Sequence, residues 1–426
     1  MKLRIFVVSL MAIVGSSNLV AQSTFGSIVG TVQDKSGSVI PGAKLTLTNL
    51  DENTTRETES NPQGSYEFLN VLAGRYSVVA EHSGFSRVRV AELRLDSRQE
   101  RRLDLSMDVA AVTATVDVQA QVAQINTENA TIEDTKDFRL VTELPVNYRG
   151  GSTSPLAAIV ALPGVQQDAS GNISVGGGAT TQSTDYSLDG ISNQAIRTNG
   201  AFANMYPSSE MLSEFKVSSV NNNAEFGSVG DVLITTKSGA NQVHGSGYDY
   251  LQNRALDATT YGSLVKQAKV WNTFGGSFSG PVYIPKLYNG KNKTFFFVDY
   301  EGNRRPGSQL QQLTVPTAAM RNGSLDGVPG GAAVDPSTGA PFPNNTVPMS
   351  ELNQVARKVL SYYPMPNAGS VSGGVFQNYV TQTPVLNHTN GYDFRIDQNF
   401  SDKHQLFGRF SSKSIPQTIP DVFLAN

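Results

Sequence analysis

Cysteine is absent from all 426 residues. That excludes disulfide bracing, thiol nucleophiles, Cys-ligated zinc and iron–sulfur clusters, and it leaves stability to extensive hydrogen-bonded sheet. Charge is scarce. Only 16% of the residues are Asp, Glu, Lys or Arg and the net charge is −3, so no basic field invites nucleic acid. The four histidines, His82, His244, His388 and His404, are scattered without metal-ligand spacing. No G-x-S-x-G, G-x-G-x-x-G or G-x-x-x-x-G-K pattern occurs, and the glycine run at 175–178 lacks a following lysine and reads as a turn. Asp299 and Glu301 share a strand face, which implies no catalysis. We expect no enzyme activity, no cofactor and no resident metal. After the N-terminal leader no segment reaches 18 consecutive apolar residues, so no helix is long enough to span a bilayer.

What is present is the turn-rich, alternating pattern of β-structure. Residues 1–21 read as an export signal: Lys2 and Arg4, an apolar stretch at 5–14, helix breakers at 15–17, and Ala21 before the cut. Leu19 sits where a small residue is preferred, but the apolar stretch is too short for a membrane anchor. Residues 22–107 alternate apolar and polar over short strands, with turns at 34–37, 61–64 and 73–75. Spacing of this kind predicts a small all-β sandwich.

The motifs G-x-V-x-D-x-x-G-x-x-I-P-G-A at 30–43, N-x-x-G-x-Y-x-F at 61–68 and L-x-G-x-Y-x-V at 72–78 resemble the carboxypeptidase-regulatory-like (transthyretin-like) domain. The resemblance implies a sandwich grouped with carbohydrate-binding-like folds. It implies no peptidase, because nothing here resembles a zinc catalytic domain.

Residues 108–130 read as a linker with one extended segment. Within it "TATVDVQA" at 113–120 loosely resembles a TonB box, the peptide that pairs by strand addition with an energy-coupling protein. That resemblance makes Thr113, Thr115, Val116 and Val118 candidate coupling contacts, against the plain alternative of an ordinary linker strand. Residues 131–239 carry Leu144-Pro145, Leu162-Pro163-Gly164-Val165, Tyr186-Ser187-Leu188-Asp189-Gly190, Glu210 to Phe215-Lys216-Val217, Ala224-Glu225-Phe226-Gly227 and 232–239. These resemble the α+β plug domain of TonB-dependent outer-membrane receptors. Tyr148-Arg149-Gly150 and Gly230-Asp231 depart from the usual Gly-Arg and double glycine. The resemblance makes Tyr186, Asp189, Arg197 and Asn199 candidate solute contacts, with turn polarity as the plain alternative.

From 240 onward a period of two dominates. Phe394, Ile396 and Phe400 fall on one face and Asp393, Arg395, Asp397 and Asn399 on the other. In the next run Leu406, Gly408 and Phe410 oppose Gln405, Arg409, Ser411 and Lys413, so the two read as a hairpin turning at 401–403. The stretch "NKTFFFVDYEGNRR" at 292–305 puts Phe296, Val298 and Tyr300 opposite Phe295, Phe297, Asp299 and Glu301, which suits a wall between lipid and a polar lumen. Six candidate strands are expected, near 243–252, 269–283, 293–303, 308–315, 390–400 and 404–414. Residues 306–384 hold ten of the chain's 20 prolines, which argues against sheet there and predicts a long loop over 306–388. Inside that loop Ser350 is the expected cap of a helix with a Leu352, Val355, Ala356, Val359, Leu360 stripe. "DPSTGAPFPNN" lacks the spaced carboxylates of a calcium loop and reads as turn.

The expected fold is mostly β: a sandwich at 22–107, a linker at 108–130, an α+β plug at 131–239, and the first strands of an incomplete antiparallel outer-membrane barrel at 240–426. By resemblance this is an Oar-like TonB-dependent receptor in a bacterial outer membrane, with sandwich and linker in the periplasm. Its partners would be outer-membrane lipid, a TonB-type coupling protein and a small solute such as an iron chelate, oligosaccharide, peptide or vitamin. Plugged transporters have about 22 strands, so we expect an N-terminal fragment of a longer receptor. The alternative is a secreted or surface-attached β-sandwich protein for glycan binding or adhesion.

Overall fold

The computed structural model describes residues 23–109, 115–118, 128, 130–137, 156, 159–160, 162–167, 173–177, 184–194, 206–221, 227–258, 269–369, 375–401 and 404–416. The expected export signal at 1–21 lies outside them. The chain is mostly β, and its compact units are Met1–Tyr248 with Gly275–Glu301 and Gly391–Lys413, and Asp249–Phe274 with Gly302–Asn390 and Ser414–Asn426.

The N-terminal sandwich comprises β1 (Gly26–Asp34), β2 (Lys44–Asn49), β3 (Thr55–Glu59), β4 (Ser65–Val71), β5 (Gly74–Glu81), β6 (Arg87–Leu95), β7 (Glu100–Arg102) and β8 (Leu105–Met107). One sheet runs β4-β1-β7 with β8 also on β1; the other runs β3-β2-β5-β6. Alternation decides the facing. Ile28, Val32, Leu45, Leu47, Val78, Val90 and Leu95 enter one apolar core; on β1, β2 and β6 the intervening positions stay at least part exposed, whereas on β5 Ser77 and Val79 are buried as well. The turns are set by side chains: Asp34 Oδ1 accepts from Ser36 N at 2.8 Å and Ser38 N at 2.9 Å, and Asn61 Oδ1 accepts from Gln63 N at 2.9 Å and Ser65 N at 3.0 Å. Gly30 is obligatory, since a Cβ there would lie 1.9 Å from the Leu103 carbonyl oxygen.

After β8 the chain bridges Val109 to Phe85, and β9 (Thr115–Val118) then adds to β6 in parallel as the fifth strand of its sheet. The expected extended segment of the linker is therefore a paired strand.

The central domain holds β10 (Ile132–Asp137), the two-stranded β11 (Val165–Gln167) and β12 (Ile173–Val175), then β13 (Thr184–Leu188), β14 (Ile191–Ser192), β15 (Leu212–Val220) and β16 (Gly230–Thr236). Its main sheet runs β10-β15-β16-β13-β14. Leu156, Ile159, Leu162, Tyr186, Phe215, Val217, Val232 and Ile234 form its core on one face. β16 is buried on both faces, so its other face, carrying Asp231 and Leu233, is also covered. Gly176 turns the chain at φ 66°, where an added Cβ would stand 2.3 Å from the Ser219 carbonyl oxygen. Within the glycine run, Gly176 is thus a turn position where only glycine fits.

The last sheet runs β17 (His244–Asn253), β18 (Val270–Pro281), then, beyond a short hairpin of β19 (Tyr283–Ile284) and β20 (Tyr288–Asn289), β21 (Thr294–Leu313), β22 (Tyr379–Asn399) and β23 (Gln405–Ser414). These five strands form an open sheet. On β22, Asp393, Arg395 and Asp397 are 5%, 7% and 8% exposed, whereas Phe394, Ile396 and Phe400 are 42%, 38% and 68% exposed. β21 does the same, burying Phe295, Phe297, Asp299 and Glu301 and leaving Phe296, Val298 and Tyr300 part exposed.

Three expectations are corrected. The candidates at 293–303 and 308–315 are one strand of 20 residues running through Pro306, and β22 starts at Tyr379 instead of 390. The prolines therefore do not exclude sheet at 306–313 or at 379–384, because one missing N–H in a 20-residue strand removes one ladder bond and no more. Among the described residues the stretch between these two strands shrinks from 306–388 to 314–369 and 375–378. The helix expected after Ser350 is shorter: α1 (Ala318–Arg321) precedes it, and α2 (Gln354–Leu360) is capped by Asn353, whose Oδ1 accepts from Val355 N at 2.8 Å and Ala356 N at 3.3 Å. On its stripe Val355 and Val359 are exposed and Leu360 is half-buried. The connection is nevertheless tied together: the Arg321 guanidinium donates to the carbonyls of Pro316, Leu360, Tyr363 and Pro364 at 2.6–3.1 Å, and Asn378 pairs both ways with the Val315 backbone. In "DPSTGAPFPNN" the Ser337 and Thr338 hydroxyls occupy the Asp335 carboxylate, an ordinary turn.

Candidate functional site: the polar junction of sandwich, central sheet and barrel wall

The β13–β14 connection is two residues long, Asp189-Gly190, both at positive φ (51° and 80°). That is the two-residue hairpin geometry Asp-Gly favours, and it lifts the Asp189 carboxylate off the end of the strand. The carboxylate accepts from Thr236 N at 2.8 Å and from Thr236 Oγ1 at 3.0 Å. Arg409 Nε of β23 donates to it at 2.9 Å and Arg395 of β22 lies 3.6 Å away. Arg395 also donates to Thr236 Oγ1 at 2.6 Å, pairs with Asp397 at 2.8 Å and stacks on Phe407 at 4.5 Å. Ser238 Oγ completes the chain of contacts by donating to Asp397 at 3.0 Å. One buried carboxylate of the central sheet is thus held by two arginines of the barrel wall.

A second polar contact forms around the turn at 206–211. Ser208 N donates to Asp393 Oδ2 at 2.9 Å, Lys413 Nζ to the Tyr206 carbonyl at 3.0 Å, and Ser209 Oγ to Glu301 at 3.2 Å. Every inward barrel residue named here comes from the polar face recognised in the sequence. A cavity of about 360 Å³ lies beside this turn, lined by Leu188, Asn193, Tyr206, Asp393, Arg409 and Lys413, among others.

The sandwich joins the same junction through two turns. The β6–β7 turn inserts Ser97 and Arg98, the latter in the left-handed region at φ 55°. Arg98 pairs with Asp231 at 2.8 Å, Ser97 N donates to Glu214 at 3.0 Å, and Lys216 Nζ donates to the Ser97 carbonyl at 2.8 Å while pairing with Glu133 at 2.8 Å. Burial pushes the Asp231 carboxyl up to about 6 against the opposing pull of Arg98, and burial likewise raises Glu214. The β2–β3 turn presents Glu52, which accepts from Asn399 Nδ2 at 2.9 Å and whose carbonyl takes the Asn241 amide. Burial lifts the Glu52 carboxyl to about 7. A small cavity of about 120 Å³ lies where Glu52, Ser97, Asp189, Thr236 and Arg395 converge.

The sequence-derived candidates are thereby placed. Asp189 is the hub of the junction. Tyr186 is buried at 3% exposure with its hydroxyl 3.4 Å from the Ile173 carbonyl, and burial raises it to about 12. Arg197, Asn199 and Thr113 lie outside the described residues, and Thr115, Val116 and Val118 belong to β9. Arg98, Glu214 and Glu52 were not singled out from the sequence, and Lys216 and Asp231 were noted only for their resemblance pattern. For Asp231, Glu214 and Lys216 the available signal was a charged residue inside an apolar strand, as in "GDVLITT" and "LSEFKVSSV"; Arg98 and Glu52 lie in turns, where charge is ordinary.

Among the described residues no group of three or more His, Asp or Glu side chains is arranged to hold a metal ion. Comparison with known proteins agrees with this architecture. Residues 235–426 match the outer membrane beta barrel domain family, and residues 27–108 match the carboxypeptidase regulatory-like domain. The chain thus carries an N-terminal sandwich similar to the carboxypeptidase regulatory-like domain and a C-terminal region similar to the outer membrane beta barrel domain. No curated protein matches it. Among solved structures, hydroxyquinol 1,2-dioxygenase from Pseudomonas putida DLL-E4 is 9% identical over 21% of this chain and 58% of its own, with a TM-score of 0.19. The group B streptococcus pilus 2b backbone protein is 16% identical over 20% of this chain and 42% of its own, with a TM-score of 0.16. The chain thus spans less than two thirds of either structure.

Proposed function

We propose that the protein is a TonB-dependent receptor in which the central domain is a plug, released by an energy-coupling protein so that a scarce solute can cross the outer membrane. The carrying observation is the way Asp189 is held between Arg395 and Arg409. A domain meant to stay in place permanently is best fixed by apolar packing. A buried ionic contact gains little over hydration once its desolvation is counted, so it can open to water and re-form without a large net cost. The inner faces of β21, β22 and β23 offer polar and charged groups to the plug, as the lumen of a conducting barrel requires.

The function involves no covalent chemistry. Sandwich and linker lie in the periplasm, and the linker strand at 115–118 is the coupling segment. The solute belongs to the class of small scarce nutrients: iron chelates, oligosaccharides, peptides or vitamins.

The absence of cysteine makes the test clean. Single variants Thr113→Cys, Thr115→Cys, Val116→Cys and Val118→Cys are combined with cysteine-bearing periplasmic domain of the producing bacterium's TonB-type protein. Disulfide capture confined to 113–118, with none at the exposed turn variant Ser36→Cys, supports the reading. Equal capture everywhere, or none at 113–118, overturns it.

A further inference from the structure

The outer edge of β6 is occupied by the chain's own linker. The register is parallel, Arg87 with Thr115, Val88 with Val116, Arg89 with Asp117 and Val90 with Val118. Two further contacts steer the linker to this edge: Ser86 N donates to the Asp108 carbonyl at 2.7 Å and Phe85 bridges Val109. Without β9, β6 would be a nine-residue edge strand with a row of free backbone donors and acceptors, the template that invites another strand. Its remaining half leads directly into the Ser97–Arg98 turn that grips the central sheet.

We propose that the β6 edge at 87–90 is a strand-addition site that stores the linker segment 115–118 and releases it to a partner offering a better β-edge. Under the coupling reading above, on which this regulatory step rests, that partner is the coupling protein. The sandwich and the coupling protein then compete for one strand, because the four residues of β9 can present the same backbone groups to only one neighbour on a given edge. Four parallel pairs make a short ladder, so the stored state is readily exchanged.

Hydrogen–deuterium exchange on the mature full-length chain in detergent tests this. The variant Val116→Pro/Val118→Pro removes two donors from β9. Amides at 87–90 should then exchange faster by about tenfold, the factor for roughly one hydrogen bond's net stability, while β2 and β5 stay as protected as before and so report an intact sandwich. A synthetic peptide of residues 113–120 should restore protection to the variant. Unchanged exchange at 87–90 overturns the storage site. In the second arm the periplasmic domain of the TonB-type protein is added to the unsubstituted chain. Binding with loss of protection at 87–90 supports competition, and binding with protection retained overturns it. Failure to bind, with the proline effect present, overturns the coupling reading and leaves the storage site supported.

Discussion

Arg98 leaves the sandwich at a left-handed backbone position and ends against Asp231, whose side chain is 2% exposed. Removing one partner of such a pair strands the other charge. Arg98→Ala should therefore weaken the contact between sandwich and central sheet by about 3–5 kcal/mol, read as earlier proteolytic release of the sandwich in detergent. The pH dependence has a definite sign. The carboxyls of Asp231 and Glu52 are raised by burial, from 3.8 to about 6 and from 4.5 to about 7. A raised acid binds its proton more tightly when folded. Its stabilising contribution is complete below the unfolded value and is lost as pH rises through the folded value. Stability should fall between pH 3.8 and 7, first through Asp231 and then through Glu52, and the double variant Asp231→Asn/Glu52→Gln should flatten that slope in a thermal melt. An unchanged slope would show that neither group titrates in this window. The partners of these two acids were not legible in the sequence, because nothing in it says which turn meets which strand, 133 residues apart for Arg98 and Asp231.

At the scale of elements, legibility followed locality. The sandwich strands and the alternation of β21 and β22 were readable because a period of two and Asp, Asn or Gly turns are local signals. The continuation of β21 through Pro306 and the cap at Asn353 were not, since length and cap choice depend on which neighbour pairs the backbone. Asp189 stood out as a turn residue, but its arginine partners come from strands whose positions only tertiary structure supplies. The barrel elements carry their own prediction. Ile396 faces outward on β22, so Ile396→Arg should cost about 2–4 kcal/mol if the position lies near the membrane midplane. The expected readout is a fall in folded protein recovered from outer membranes. Substituting the connection is expected to act differently: Arg321→Ala removes donors to four carbonyls of 314–378 and should raise protease sensitivity there without lowering membrane recovery.

At the scale of the whole molecule, the sandwich takes up the linker strand on one sheet edge, the central sheet is held by ionic contacts, and the C-terminal sheet has one polar and one apolar face. A cysteine-free chain allows it to be mapped directly. Positions 393 to 397 are changed to cysteine one at a time, labelled with an environment-sensitive fluorophore, and returned to bilayers containing brominated lipid. The account predicts strong quenching at Phe394→Cys and Ile396→Cys and little at Asp393→Cys, Arg395→Cys and Asp397→Cys. Quenching without this two-residue alternation, or none at any of the five, would contradict it.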